Sequence, residues 1–299
     1  MRKFDWAVLF VVAVVAIGGK FLGGGDAVPE SQSARRPSPE LFEPKLWDAE
    51  TRAWLDAGTQ TKFPGTASAT PMPSVGIIEE TGRQGPSTGS AFSVSSRGYW
   101  LTARHVVEGC DRIYIQTGIR EALRVERTTV HPQADVALIV TDGAPEGLAV
   151  AISRMRTRDS FSIGFPQGIP GAVHGRYLGE MTLRHKGRRG YRERVNAWSI
   201  VSVVPRNFAS LGGLSGGAVI DGGGRIVGIV QAEQPRRGRF MTAKPEAYRQ
   251  IFEMAGVTIP VTSQAVSRAD ISEANYETRA RQLITTLRVA KVFCDVRSN

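Results

Sequence analysis

The stretch "GGLSGGAVID" at 212–221 sets Ser215 between two glycine pairs and ahead of a short apolar run. A serine hydroxyl is a weak nucleophile at neutral pH. It attacks a carbonyl only when an imidazole takes its proton and a carboxylate orients that imidazole. The chain has four histidines, His105, His131, His174 and His185, and all precede Ser215. "GYWLTARHVVEGC" (98–110) places His105 just after an apolar run, and "HPQADVALIV" (131–140) places Asp135 at the start of another. The chain order His, Asp, Ser is one that supports nucleophilic acyl transfer. Ser215 is thus the candidate nucleophile, His105 the candidate general base and Asp135 the candidate orienting carboxylate.

Each residue also has a plainer reading. Ser215 would serve as a small residue in a glycine-rich turn, His105 as a helix-start residue and Asp135 as an exposed carboxylate. Asp111 and Asp142 are rival carboxylates, but neither opens an apolar run in the same way. His131, next to Pro132, reads as a loop histidine, and His174 and His185 as residues covering surface strands. No two histidines have metal-ligand spacing with a carboxylate nearby, so neither a metal nor a cofactor is expected. The letters G-L-S-G-G also fit G-x-S-x-G, the nucleophile elbow of the α/β-hydrolases. That elbow needs its histidine downstream of the serine, and this chain has none there.

The elements that must position these residues are strands. From Ser74 onward, short β-branched runs recur every 8–12 residues between Gly, Pro, Asn or Asp. They predict strands near 74–79, 88–95, 99–103, 112–117, 121–130, 135–141, 159–165, 173–184, 196–204, 217–221, 225–232 and 239–243. Many short strands with turn signals between them predict an all-β sandwich or barrel. "PEAYRQIFEMA" (245–255) reads as a helix with Pro at its first position and Gly256 as its stop. A second helix is expected near 269–290.

With the three motifs and this background in view, the chain resembles the trypsin-like (chymotrypsin-fold) serine peptidases, most closely their bacterial HtrA-like branch. T-A-x-H-V-V, D-V-A-L and G-x-S-G-G-A match in order, "TGSAFSV" and "SIGFPQG" resemble flanking segments, and "GRIVGIV" resembles the strand after the serine. The resemblance spans roughly 74–256. It implies two antiparallel six-stranded β-barrels with the site in the cleft between them. It also implies an oxyanion hole made by the backbone N–H groups of Gly213 and Ser215, and a substrate-binding strand over Ile229, Val230, Gln231 and Ala232. Ala209, six residues before the serine, would sit at the base of the primary pocket, which suits a small or medium apolar side chain rather than Arg or Lys.

The sequence departs from that family in places. Arg104 stands where a small residue is usual and is expected to face solvent. Leu214 stands where digestive members carry the Asp that pairs with a newly cut N-terminus, so that activation step is not expected. What orders the oxyanion turn is left open. Only 43 residues follow Gly256, too few for the PDZ domain of HtrA proteins, and they read as a helical extension over 257–299. Cys110 and Cys294 are the two cysteines; they are either separate thiols or one bridge.

The N-terminus addresses the chain. "MRK" precedes fourteen uninterrupted apolar residues from Trp6 to Gly19, the form of an export signal. Residues 1–22 read as an uncleaved membrane anchor, with a cleaved signal peptide as the alternative. The catalytic part would then lie on the periplasmic or extracellular side of the inner membrane, with 23–73 a linker containing a short helix near 45–57. The net charge of +10 permits attraction to an anionic surface. No zinc-finger spacing or RNA-binding motif accompanies it, so nucleic acid is not an expected partner. The expected partner is a protein or peptide substrate. Function is therefore expected to be that of an exported, membrane-anchored serine endopeptidase. A protease-like binding or sensing module with an inactive oxyanion turn is the alternative.

Overall fold

The computed structural model describes residues 61–62, 75–79, 86–118, 121–151, 158–186, 190–205, 208, 210–259, 261–262 and 270–296. The expected anchor over 1–22, the short helix near 45–57 and Ala209 lie outside them. Among the described residues no helix is long and apolar enough to cross a membrane.

In chain order the strands begin with β1 (Thr61–Lys62), β2 (Val75–Glu79), β3 (Ser87–Ser95) and β4 (Tyr99–Thr102), followed by one helical turn, α1 (Arg104–Val107). Next come β5 (Arg112–Gln116), β6 (Ala122–Arg124), β7 (Arg127–Val130), β8 (Ala137–Val140), β9 (Ala149–Ala151) and β10 (Asp159–Gly164). The long hairpin of β11 (Gly171–Lys186) and β12 (Tyr191–Val204) leads to β13 (Ala218–Ile220), β14 (Arg225–Gln234) and β15 (Arg239–Thr242). The chain then forms α2 (Pro245–Met254), β16 (Val261–Thr262), α3 (Tyr276–Thr285) and β17 (Val289–Asp295). Most strands lie where the spacing of apolar runs and turn residues puts them.

Six strands close into a ring. β10 pairs with β11, β11 with β12, β12 with β15, β15 with β14, β14 with β13, and β13 returns to β10, all antiparallel. Alternate residues of these strands fill the interior, including Val173, Trp198, Val219, Val227, Val230 and Phe240. Trp198 is fully buried and its indole N–H donates to Thr242 Oγ1 at 3.0 Å, which satisfies the one polar atom it takes inside.

The other sheet corrects the expectation of two six-stranded barrels. Its order is β6-β5-β17-β3-β4-β8-β7, seven strands. Among the described residues no pairing joins its outer strands β6 and β7, so it is an open half-barrel. The cause is β17. The expected helix near 269–290 ends at Thr285, Leu287 turns the chain at φ 55°, and the segment "VAKVFCD" becomes a strand inserted between β3 and β5. Valine and phenylalanine favour that state. Val289, Ala290, Val292 and Cys294 are buried. The extension beyond Gly256 is therefore part helix and part strand. α2 matches its expectation: Tyr248, Ile251 and Phe252 face the core, and the Tyr248 hydroxyl donates to the carbonyl of Ile226 at 3.0 Å.

Candidate active site

His105 sits in α1, directly after β4. Its backbone N–H donates to Asp135 Oδ1 at 2.8 Å and its ring Nδ1 lies 2.6 Å from Asp135 Oδ2. Asp135 precedes β8 and is 3% exposed, whereas the His105 side chain is 42% exposed. An ionised carboxylate only accepts hydrogen bonds, so Nδ1 carries the proton and Nε2 carries the lone pair. Burial pushes the Asp135 carboxyl up. The His105 imidazole and the hydrogen bonds from His105 outweigh this and hold it below 3.8.

A second carboxylate stands behind Asp135. Glu193 of β12 is 5% exposed; its Oε2 accepts the Asp135 backbone N–H at 2.9 Å and its Oε1 accepts from Gln231 Nε2 at 2.8 Å. The same Gln231 nitrogen donates to the Asp135 carbonyl at 3.2 Å. His185 Nε2 lies 3.6 Å from Glu193 Oε2, and its ring stacks on Tyr191 at 4.1 Å. Sequence reading missed Glu193. Its only signal is a carboxylate at an alternate position of "YRERVNAW" (191–198), in register with Val195 and Ala197, and a carboxylate in an arginine-rich run looks like a solvated one.

The Ser215 turn docks on the other sheet. The backbone N–H of Ser90, in β3, donates to the Ser215 carbonyl at 2.8 Å. A Cβ on Gly216 would lie 2.1 Å from the Ser90 carbonyl and 3.0 Å from Ala103 N, and one on Gly89 would strike Val106 at 2.5 Å. Only glycine permits this approach, which brings the Ser215 backbone against β3. Among the described residues the Ser215 hydroxyl makes no hydrogen bond. In substrate-free sites that bond is commonly long and tightens on binding.

Other expectations resolve differently. Arg104 does not face solvent: it is 6% exposed, paired through its guanidinium to Glu108 at 2.6 Å and donating to the His131 carbonyl at 3.2 Å. His131, His174 and His185 are all buried. His131 accepts from Gln133 N–H at Nδ1, which assigns its proton to Nε2, where it donates to Gln250 Oε1 at 2.8 Å. His174 Nε2 bonds Asp159 at 2.9 Å. Ile229 and Val230 point into the two cores, Gln231 toward Asp135 and Glu193, and Ala232 is partly buried beside Met181 and Leu183. Cys110, three residues past α1, is joined to Cys294 of β17 in a disulfide.

Residues 89–229 match the family model described as the trypsin-like peptidase domain. A probable periplasmic serine endoprotease, DegP-like, from Ectopseudomonas mendocina (strain ymp) is 31% identical over 163 residues, which is 53% of this chain and 32% of that protein. A protein of the same description from Pseudomonas putida (strain W619) is 30% identical over 162 residues with the same coverage. The chain spans about a third of the length of the curated relatives it matches. Among solved structures, the active form of the Rv3671c protease from M. tuberculosis overlays with a TM-score of 0.48 at 18% identity, covering 66% of this chain and 96% of that one. The HtrA-type protease AlgW with decapeptide overlays with a TM-score of 0.45 at 24% identity, covering 56% and 51%. Over residues 89–229 this chain is thus similar to the trypsin-like peptidase domain, and over about half its length to the DegP-like serine endoproteases.

Proposed function

We propose that the chain is an exported serine endopeptidase that cleaves peptide bonds through an acyl-enzyme. Ser215 Oγ would attack the scissile carbonyl while His105 Nε2 takes its proton. His105 would then return that proton to the leaving amine, and a water activated by the same imidazole would release the acid. Asp135 would hold the imidazole in the one tautomer that can do this. The observation that carries the reading is the contact between His105 Nδ1 and the buried Asp135 carboxylate at 2.6 Å, on the sheet against which the Ser215 turn is docked. The DegP-like relatives are described as periplasmic, and the basic start and apolar run at 1–19 fit export of this chain, with residues 1–22 as its anchor.

The test is labelling of the full chain with a fluorophosphonate probe, with hydrolysis of unfolded casein in parallel. The expected result is one labelled site, lost together with hydrolysis in Ser215→Ala. Absence of labelling in a folded wild-type protein would overturn the reading in favour of a binding or sensing module on the same fold.

A further inference from the structure

Leu214 stands where no ion pair can be made, which leaves the question of what holds the turn. Its side chain is fully buried in the core of the closed barrel, so it anchors the turn by packing. Packing fixes position, but the direction of each peptide needs hydrogen bonds. Three consecutive peptides span 212–215, and each has its carbonyl engaged. The Gly212 carbonyl accepts from the backbone N–H of Gln167, the Gly213 carbonyl from the Ser90 hydroxyl at 2.8 Å, and the Leu214 carbonyl from Gly217 N–H at 2.8 Å.

A trans peptide is planar, with its C=O and N–H pointing opposite ways. Fixing the carbonyl of Gly212 therefore fixes the N–H of Gly213, and fixing that of Leu214 fixes the N–H of Ser215. Neither N–H donates to any group among the described residues. Both are left for a ligand. Between them, the Gly213 peptide is held at both ends, because Leu214 N–H donates to Leu211 O at 2.8 Å.

We propose that Ser90 is a positioning residue for the oxyanion hole, bridging the loop after β10 to the Gly213 peptide. Its hydroxyl accepts from Phe165 N–H at 2.9 Å while donating to the Gly213 carbonyl. It is fully buried, and its oxygen is packed so closely that a Cβ on Gly164 would lie 2.4 Å away. The loop it holds is the one that supplies Gln167 N–H, and Gln167 adopts φ 52°, a left-handed conformation uncommon for a residue with a side chain. Gln167 Nε2 adds a bond to the Ser210 carbonyl at 3.2 Å. Gly213 itself, at φ 92°, has room for no Cβ: one would lie 2.5 Å from the Phe165 carbonyl. One hydroxyl on β3 thus ties β10's loop and the oxyanion turn together, in the place of a charged pair.

The inference rests on the proposed role of Ser215, and the experiment separates the two. Wild type, Ser90→Ala and Ser215→Ala are compared by the rate of fluorophosphonate labelling against probe concentration, which resolves the maximal rate from probe affinity. Ser90→Ala is expected to lower the maximal rate about 10- to 100-fold, less than outright deletion of an oxyanion donor. Probe affinity and the pH profile should stay unchanged, because the His105–Asp135 pair is untouched. A folded Ser90→Ala that labels within about threefold of wild type overturns the proposal alone. No labelling of wild type overturns the serine-endopeptidase reading and the proposal with it. If Ser90→Ala does not fold, the crystal structure of the wild-type phosphonyl adduct decides. The adduct oxygen should sit within hydrogen-bond reach of Gly213 N and Ser215 N with the Ser90 bridge intact. A reversed Gly212–Gly213 peptide, or a displaced Ser90 hydroxyl, overturns it.

Discussion

Asp135 carries two tests at the scale of a single side chain. The first is Asp135→Asn. A carboxamide has one acceptor oxygen; spent on the His105 backbone N–H, it leaves an NH2 group facing ring Nδ1, which favours the wrong imidazole tautomer. Hydrolysis should fall by about 10⁴-fold, as in other sites of this design. The second concerns stability. The folded carboxyl is held below the ordinary carboxylate value by His105, so the unfolded chain takes up the proton first as the solution is acidified. The carboxylate's contribution is complete above that value and is lost as pH falls through the folded one. Thermal unfolding of wild type and Asp135→Asn should differ at pH 7, and the gap should close only below about pH 4. Glu193 makes a third test. Each of its oxygens accepts a separate buried donor. Gln in its place has one acceptor oxygen, so its own NH2 must meet either Asp135 N–H or the Gln231 NH2. Leaving a buried donor unmatched costs about 1–3 kcal/mol. Glu193→Gln should lower the melting temperature and reduce hydrolysis, and the loss of hydrolysis should vanish in an Asp135→Asn background. An undiminished second loss would show that Glu193 acts by another route.

At the scale of elements, the disulfide and β17 are coupled. Cys110 follows the helical turn that carries His105, and Cys294 is on the inserted strand, 184 residues later in sequence. Closing so long a loop restricts the unfolded chain, and removal of such a bridge costs about 2–5 kcal/mol. Cys294→Ala should therefore unfold at a lower urea concentration than the oxidised wild type and match the reduced wild type. Equal midpoints for all three would mean that the bridge adds nothing. The same elements show what could be read from sequence. His105, Asp135 and the Ser215 turn were legible because each sits beside a sharp local signal: an apolar strand, a strand start, or four glycines. The closed barrel was legible because its strands follow one another with turn residues between them. β17 was not, because "RVAKVFC" follows a helix without a glycine or proline, and its partners β3 and β5 lie some 200 residues earlier in the chain. Glu193 and Ser90 were hidden for a related reason. Their roles depend on what a distant loop brings to them, and neither residue type is unusual in a strand.

For the whole molecule, the last helix and strand join a core shared by the two sheets. α3 buries Tyr276, Ala280 and Ile284, and Leu287 and Val289 join the same core as Phe92, Phe161 and Ile226. Arg288 crosses to the carbonyls of Glu146 at 3.0 Å and Gly147 at 2.9 Å, and the Arg288 carbonyl accepts from Ser93 N–H at 2.9 Å. Each buried Ile, Leu or Val side chain is worth about 1.5–3 kcal/mol, so the segment's burial alone is comparable to the net stability of a typical domain, about 5–15 kcal/mol. A chain ending at Gly256 would lose this, and would also leave β3 and β5 as facing edges with unpaired backbone groups. β3 is the strand that carries Ser90 and receives the Ser215 turn, so the damage would reach the site directly. The expected outcome is loss of cooperative unfolding, followed by heat, together with loss of fluorophosphonate labelling. A shortened chain that unfolds cooperatively and labels at the wild-type rate would show instead that the barrel and half-barrel stand without the last strand.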